Sequence, residues 1–127
     1  MNAERERWAH LSDAAFRVLR ESGTEPPGTS PLLHEHRAGI YACEGCGQPV
    51  FESGAKFESG CGWPSFDAPA GADALTLHRD LSHGMVRTEI RCSGCDGHLG
   101  HVFPDGPTST GLRFCLNGVA LHFEPQG

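Results

Sequence analysis

Two Cys-x-x-Cys pairs, Cys43/Cys46 and Cys92/Cys95, constrain this chain more than any other feature. Cysteines two residues apart can present both sulfurs to one tetrahedral ion, and two such pairs complete a closed four-thiolate shell of the structural zinc type. Each pair sits in a glycine-bearing turn, Cys43-Glu44-Gly45-Cys46-Gly47 and Cys92-Ser93-Gly94-Cys95-Asp96-Gly97, and glycine accepts the positive φ that wraps backbone around a bound sulfur. A Zn2+ on Cys43, Cys46, Cys92 and Cys95 staples two distant segments together. Its role is structural, because no coordination position stays open for water or substrate. His98 follows Cys95 by three residues and has ligand chemistry, but four thiolates already fill the shell. A thioredoxin-like redox use of either pair calls for a helix start beside it, and neither pair is followed by helical periodicity.

At 127 residues the chain is the size of one domain, with enough length to bury a core without disulfides. Sixteen acidic residues against ten basic ones give a net charge of −6, and Lys56 is the sole lysine. Backbone binding to nucleic acid needs clustered Lys and Arg, so a nucleic acid partner is not expected. Met1 to Leu11 is charged and lacks the apolar centre of a signal peptide, and no stretch reaches transmembrane length. The expectation is a cytoplasmic monomer with no membrane partner. In a reducing compartment metal or catalytic use of cysteine outweighs structural disulfides.

Helical signal is confined to the beginning. Ser12 can cap a helix over Asp13 to Ser22 that stops at Gly23, with Leu11 and Phe16 placed for a hydrophobic staple, and a shorter helix can precede it over Ala3 to His10. Three prolines and a glycine between Thr24 and Pro31 then make an extended or turning connector. Beyond it the pattern has period two, with strands expected at Ile40–Cys43, Leu75–His78, Val86–Arg91, Leu112–Asn117 and Val119–Phe123. Val86, Thr88 and Ile90 alternate with Arg87, Glu89 and Arg91, which reads as a half-buried strand. The class is mainly β with an N-terminal helical cover: one domain over 1–127, of which 1–30 are helix and connector and 31–127 a zinc-bound β core.

Two cysteines remain, Cys61 and Cys115. Strand alternation puts Arg113, Cys115 and Asn117 on one face and Leu112, Phe114 and Leu116 on the other. An adjacent cation favours the thiolate, and an amide can bond at a reacting centre, but a buried small hydrophobe explains a lone cysteine equally well. Two other runs break that tie, Gly60-Cys61-Gly62-Trp63-Pro64-Ser65-Phe66 and His98-Leu99-Gly100-His101-Val102-Phe103 with Asp105-Gly106-Pro107 after it, and Arg113-Phe114-Cys115-Leu116-Asn117 completes the set. Together, and in this order, they resemble the B-type methionine-R-sulfoxide reductases, with the Cys pairs where zinc-binding members carry theirs. The resemblance runs from about Phe16 to Phe123 and takes in Thr24-Glu25-Pro26.

That resemblance implies two antiparallel sheets in a barrel-like or tent-like core. It implies that Cys115 attacks the sulfoxide sulfur and becomes a sulfenic acid, that Cys61 resolves it as a disulfide, and that thioredoxin reduces the disulfide. His98 and His101 are implied to hold or deliver the proton for the departing oxygen, Asn117 to be a polar member of the site, and Trp63 to cradle the substrate methyl group. Phe66 and Arg113 are expected to contact substrate as well. Read without the family, either histidine is a core residue, Trp63 a core aromatic and Asn117 an exposed turn residue. His98 and His101 lie three apart and alternation would separate them, so Gly100 is expected to bend the strand or the pair to lie on a turn. The family commonly has serine where this chain has Gly118 and tyrosine where it has Phe114. Two other classes compete: a noncatalytic zinc-binding β module, which leaves Cys61 and Cys115 unexplained, and a thiol peroxidase, which also runs through a sulfenic acid.

Overall fold

The computed structural model describes residues 8–126. Most of the expected Ala3–His10 helix lies outside the described residues, and 8–10 form a turn. Helix α1 spans Asp13–Glu21, capped at its start by Ser12 Oγ, which accepts from Ala15 N at 3.1 Å. Its end comes one residue earlier than glycine punctuation suggests: Ser22 itself takes the left-handed conformation, φ 55°, and Gly23 N donates to Arg17 O. Ala15, Phe16, Val18 and Leu19 form the buried face, and the helix packs on the strand His98–Phe103 and on the turn at 118–120.

The strands are β1 Gly39–Cys43, β2 Pro49–Glu52, β3 Lys56–Phe57, β4 Ser65–Phe66, β5 Leu75–Asp80, β6 Arg87–Cys92, β7 His98–Phe103, β8 Arg113–Leu116 and β9 Leu121–Pro125. They make two antiparallel sheets, one ordered β2-β1-β9 and one ordered β3-β4-β8-β7-β6-β5. Neither sheet closes on itself, so barrel-like describes the arrangement only loosely. Val86 departs from the expected alternation. It is 75% exposed and precedes β6, because the chain is still leaving the turn after β5. The expected strand at Val119 begins only at Leu121, since 118–120 curl into a 3-10 turn.

Period-two alternation divides the larger sheet into two unlike faces. Phe66, Ile90, Val102, Phe114 and Leu116 turn inward and meet Tyr41, Val50 and Phe51 of the smaller sheet. Phe51 stacks on Phe66 with centroids 4.5 Å apart, and Tyr41 meets Phe66 edge-on at 5.0 Å. Each such side chain removed from water contributes about 1.5–3 kcal/mol, so this aromatic centre is the main adhesive between the sheets. The opposite face is polar. Pairing runs His78↔Glu89↔His101↔Cys115↔Ser65 across five strands, placing ionisable and nucleophilic groups side by side.

One irregularity on that face matters for the site. Between β6 and β7 the register steps from Ile90↔Gly100 to Arg91↔His98, leaving Leu99 as an extra residue. Such a bulge reverses the alternation for everything on one side of it. His98 and His101 therefore share the polar face, their rings meeting edge-to-face at 5.3 Å. Glycine at 100 is required there, because a Cβ would collide with the Cys115 carbonyl oxygen of β8.

Candidate active site and metal centre

Cys115, on β8, stands 3.6 Å from Cys61, which sits in the bend after β3 with glycines of positive φ on either side, Gly60 at 75° and Gly62 at 93°. The two thiols have different surroundings. Burial pushes the Cys115 thiol up to about 12, helped by the charge and hydrogen bond of Cys61, and Arg113 only partly counters this. Around Cys61 burial acts upward too, but hydrogen bonds from Ser59 at 2.9 Å and with Ser65 at 3.4 Å outweigh it and bring the thiol down to about 7. With the sulfurs this close, one negative charge disfavours a second, and the surroundings favour ionisation of Cys61 over Cys115. Arg113 acts on Cys115 in the expected direction, favouring the thiolate, but burial and Cys61 outweigh it; the guanidinium is held by Asp105 at 2.9 and 3.1 Å and lies over Phe103.

A cavity of about 260 Å3 opens over the pair, lined by Trp63, Arg87, His101, Phe103, Arg113 and Asn117 among others. Trp63 is half-buried, with Nε1 donating to Glu25 O at 3.0 Å. Asn117 is buried rather than exposed: Nδ2 donates to Leu99 O and Oδ1 accepts from Glu25 N. Glu25 therefore joins two cavity walls through its backbone. Its carboxylate accepts from Gly118 N at 2.7 Å and Val119 N at 3.1 Å, and burial pushes its carboxyl up against those two bonds.

His101 faces Cys115 across β7 and β8, and its Nε2 lies 2.7 Å from Asp80 Oδ2. His98 is more deeply placed and does not line the cavity. Its Nδ1 bonds to Glu89 Oε2 at 2.8 Å while Nε2 is buried without a partner, and burial pushes its pKa down. The structure brings Cys61, Cys115, Trp63, His101, Arg113 and Asn117 to one cavity. Phe66 is placed elsewhere: strand alternation opposite Ser65 turns it into the aromatic core, fully buried. Asp80, Arg87 and Glu25 belong to the surroundings of the cavity without any local signal in the sequence. Asp80 continues the polar series Thr76, His78, the sole hint of its direction.

The four remaining cysteines converge at the other end of the larger sheet. Their sulfurs lie within 4.8 Å of one another, Cys43 to Cys95 at 3.7 Å and Cys46 to Cys92 at 3.5 Å. A tetrahedral ion with Zn–S bonds of about 2.3 Å separates its sulfurs by roughly 3.8 Å, so the spacing fits. Close packing also raises Cys43, through hydrogen bonding to Cys92 and Cys95, while lowering Cys95 through its contact with Cys43. Four such thiols cannot all ionise without a cation between them, and the cluster is a site compatible with zinc. Gly94 packs so tightly that a Cβ would lie 3.0 Å from Cys46 Sγ. Cys43 ends β1 and Cys92 ends β6, so an ion here joins the two sheets.

Residues 11–125 match the SelR domain family. A Bradyrhizobium diazoefficiens protein named peptide methionine sulfoxide reductase MsrB is 57% identical over 122 residues, 95% of this chain and 88% of that one. The chain belongs to the B-type methionine-R-sulfoxide reductases. MsrB proteins of Agrobacterium fabrum, at 55% identity over 91% of the chain and 85% of theirs, and of Escherichia coli, at 54% over 90% and 83%, are similar. A Mis18 Yippee-like domain shares the fold at a TM-score of 0.54 and 19% identity, covering 72% of this chain and 99% of that one. Against this B-type background Gly118 has a local explanation: a Cβ there would overlap Ser30 Oγ of the connector. Phe114 is buried beside Phe51, with its ring in the core rather than the cavity.

Proposed function

We propose that this B-type reductase reduces the R epimer of methionine sulfoxide, mainly in oxidised proteins, through a Cys115 sulfenic acid and a Cys61–Cys115 disulfide. The 3.6 Å contact between these thiols on the floor of the cavity carries the reading. Sulfur of Cys115 attacks the sulfoxide sulfur, and its proton passes with the oxygen, so thiol and sulfoxide become sulfenic acid and thioether. His101, fixed by Asp80 and facing Cys115, holds that proton near the departing oxygen. His98 supports the His101 ring at its edge. Trp63 offers a flat wall for the methyl group, while Asn117 and Arg113 contribute polar contacts.

Cys61, lowered to about 7, suits the second step, because an attacking thiol works best with a pKa near ambient pH. Its sulfur displaces hydroxide from the Cys115 sulfenic acid, which leaves as water once protonated and completes the disulfide. Thioredoxin then returns both thiols by exchange. Cys43, Cys46, Cys92 and Cys95 would hold a zinc ion, which supplies a cross-link between the sheets. The rest of the reading is a single-domain, monomeric enzyme of the cytoplasm that repairs oxidised methionine. Among the described residues no helix is long and apolar enough to cross a membrane. Assaying the separated R and S sulfoxides with thioredoxin tests the proposal: turnover of R alone is expected, and reduction of S or of hydrogen peroxide in preference would overturn it.

A further inference from the structure

Away from the cavity and from the four-cysteine cluster, His34, His36 and Glu58 bring three ligand atoms within 4.8 Å of one another. We propose that these side chains form a second, open site for a divalent transition ion of the Zn2+, Co2+ or Ni2+ kind. Two imidazoles and a carboxylate are a borderline donor set that suits such ions, and three protein ligands leave at least one position for water. His36 Nε2 stands 3.5 Å from Glu58 Oε1, near the roughly 3.3 Å that separates two N/O ligands of one tetrahedral ion.

All three side chains are exposed, and the backbone holds the segments that carry them. Ser30 Oγ accepts from Leu32 N, Leu33 N donates to Ser30 O, and Glu35 N donates to Leu32 O, so the segment carrying both histidines is a bonded turn. Lys56 Nζ donates to Leu33 O at 2.9 Å, fastening that turn to β3 two residues before Glu58. Beside the site lies a hollow of about 200 Å3, lined in part by His36, Ser53, Phe57 and Glu58. The neighbouring cations are engaged: Lys56 on Leu33 O, and Arg37 on both carboxylate oxygens of Glu35, at 2.8 and 3.1 Å. Glu35 is thereby engaged by Arg37, and the carboxylate whose oxygen lies within 4.8 Å of both imidazoles is that of Glu58.

Equilibrium dialysis of untagged protein against Co2+, with metal counted per chain, tests the site. Wild type is expected to bind one equivalent more than His36→Ala or Glu58→Gln. That extra equivalent should give only the weak visible bands of nitrogen and oxygen ligation, without the strong near-ultraviolet absorption of cobalt thiolates. Both variants should keep full sulfoxide turnover, which reports an intact fold. His122→Ala removes another exposed histidine, one paired with Glu124, and should keep the wild-type count. Equal counts in wild type and both cluster variants, or the same loss in His122→Ala, would overturn the site.

Discussion

Asp80 Oδ2 lies 2.7 Å from Nε2 of His101, although Asp80 is on the edge strand β5 and His101 two strands away on β7. The carboxylate reaches over β6 and fixes which nitrogen of the ring is bonded away from Cys115. Arg87 at 3.3 Å and Ser82 N at 2.9 Å hold it in turn, and the His101 hydrogen bond keeps its carboxyl well below the usual range. Asp80→Asn keeps the shape but weakens that grip. Turnover should fall about tenfold, less than the hundredfold or more expected for His101→Ala. Steady-state rates with thioredoxin in excess, beside the unfolding midpoint of each variant, make the comparison.

The unequal thiols predict an order of labelling. Near pH 7 iodoacetamide should modify Cys61 well before Cys115, because only the thiolate reacts. Burial is the main influence that holds Cys115 up and stays in Cys61→Ser, but that variant removes the added charge and hydrogen bond of Cys61, so the pH at which Cys115 becomes reactive should fall. That variant should still release one methionine per chain, then stall with thioredoxin, whereas Cys115→Ser should release none. Peptide mapping after a single turnover of the wild type should show a Cys61–Cys115 link.

Trp63 and Phe66 lie three residues apart and should behave oppositely. Phe66→Ala opens the aromatic centre and should cost about 3–5 kcal/mol of stability, read by chemical denaturation. Trp63→Ala should depress turnover far more than it moves the unfolding midpoint. Equal losses of stability in the two variants would contradict the placement.

Gly118→Ser should be destabilising, since its Cβ overlaps Ser30 Oγ. Ser30→Gly clears the space, and the double variant should recover most of the loss. A double-mutant cycle on denaturation free energies measures the coupling. Additive effects would show that the two positions do not compete for one volume.

His98 carries a pH dependence whose sign follows from burial. Its native pKa lies below the ordinary histidine value, so between the two the unfolded chain binds the extra proton. Stability from this group is complete above about pH 6.5 and declines as pH falls below it, until native His98 takes up its own proton. Urea titrations from pH 7.5 to 5 should show that slope in wild type and a shallower one in His98→Asn.

What could be read from the chain without coordinates was mostly local. Cys-x-x-Cys spacing, the Ser12 cap and the alternation through Thr88–Arg91 each reside in a few consecutive residues, and each has its counterpart in the structure. Relationships across the chain were not legible in that way. Glu25 meets Gly118 over a separation of 93 residues, and nothing in a proline-rich connector announces a buried carboxylate. Strands β3 and β4 have two residues each, too few to show a period, which is why the side to which Phe66 turns could not be read. The balance between Cys61 and Cys115 depends on two serine hydroxyls and on burial, and the nearby arginine is the weaker influence.

The extra residue at Leu99 makes chain length itself a functional quantity. Deleting one residue between His98 and His101 would keep both imidazoles yet send one of them through the sheet into the aromatic centre. Inserting one would do the same. An even change could be absorbed by sliding the register, whereas an odd one inverts the ring's address. In this segment the count of residues is under as tight a physical constraint as their identity.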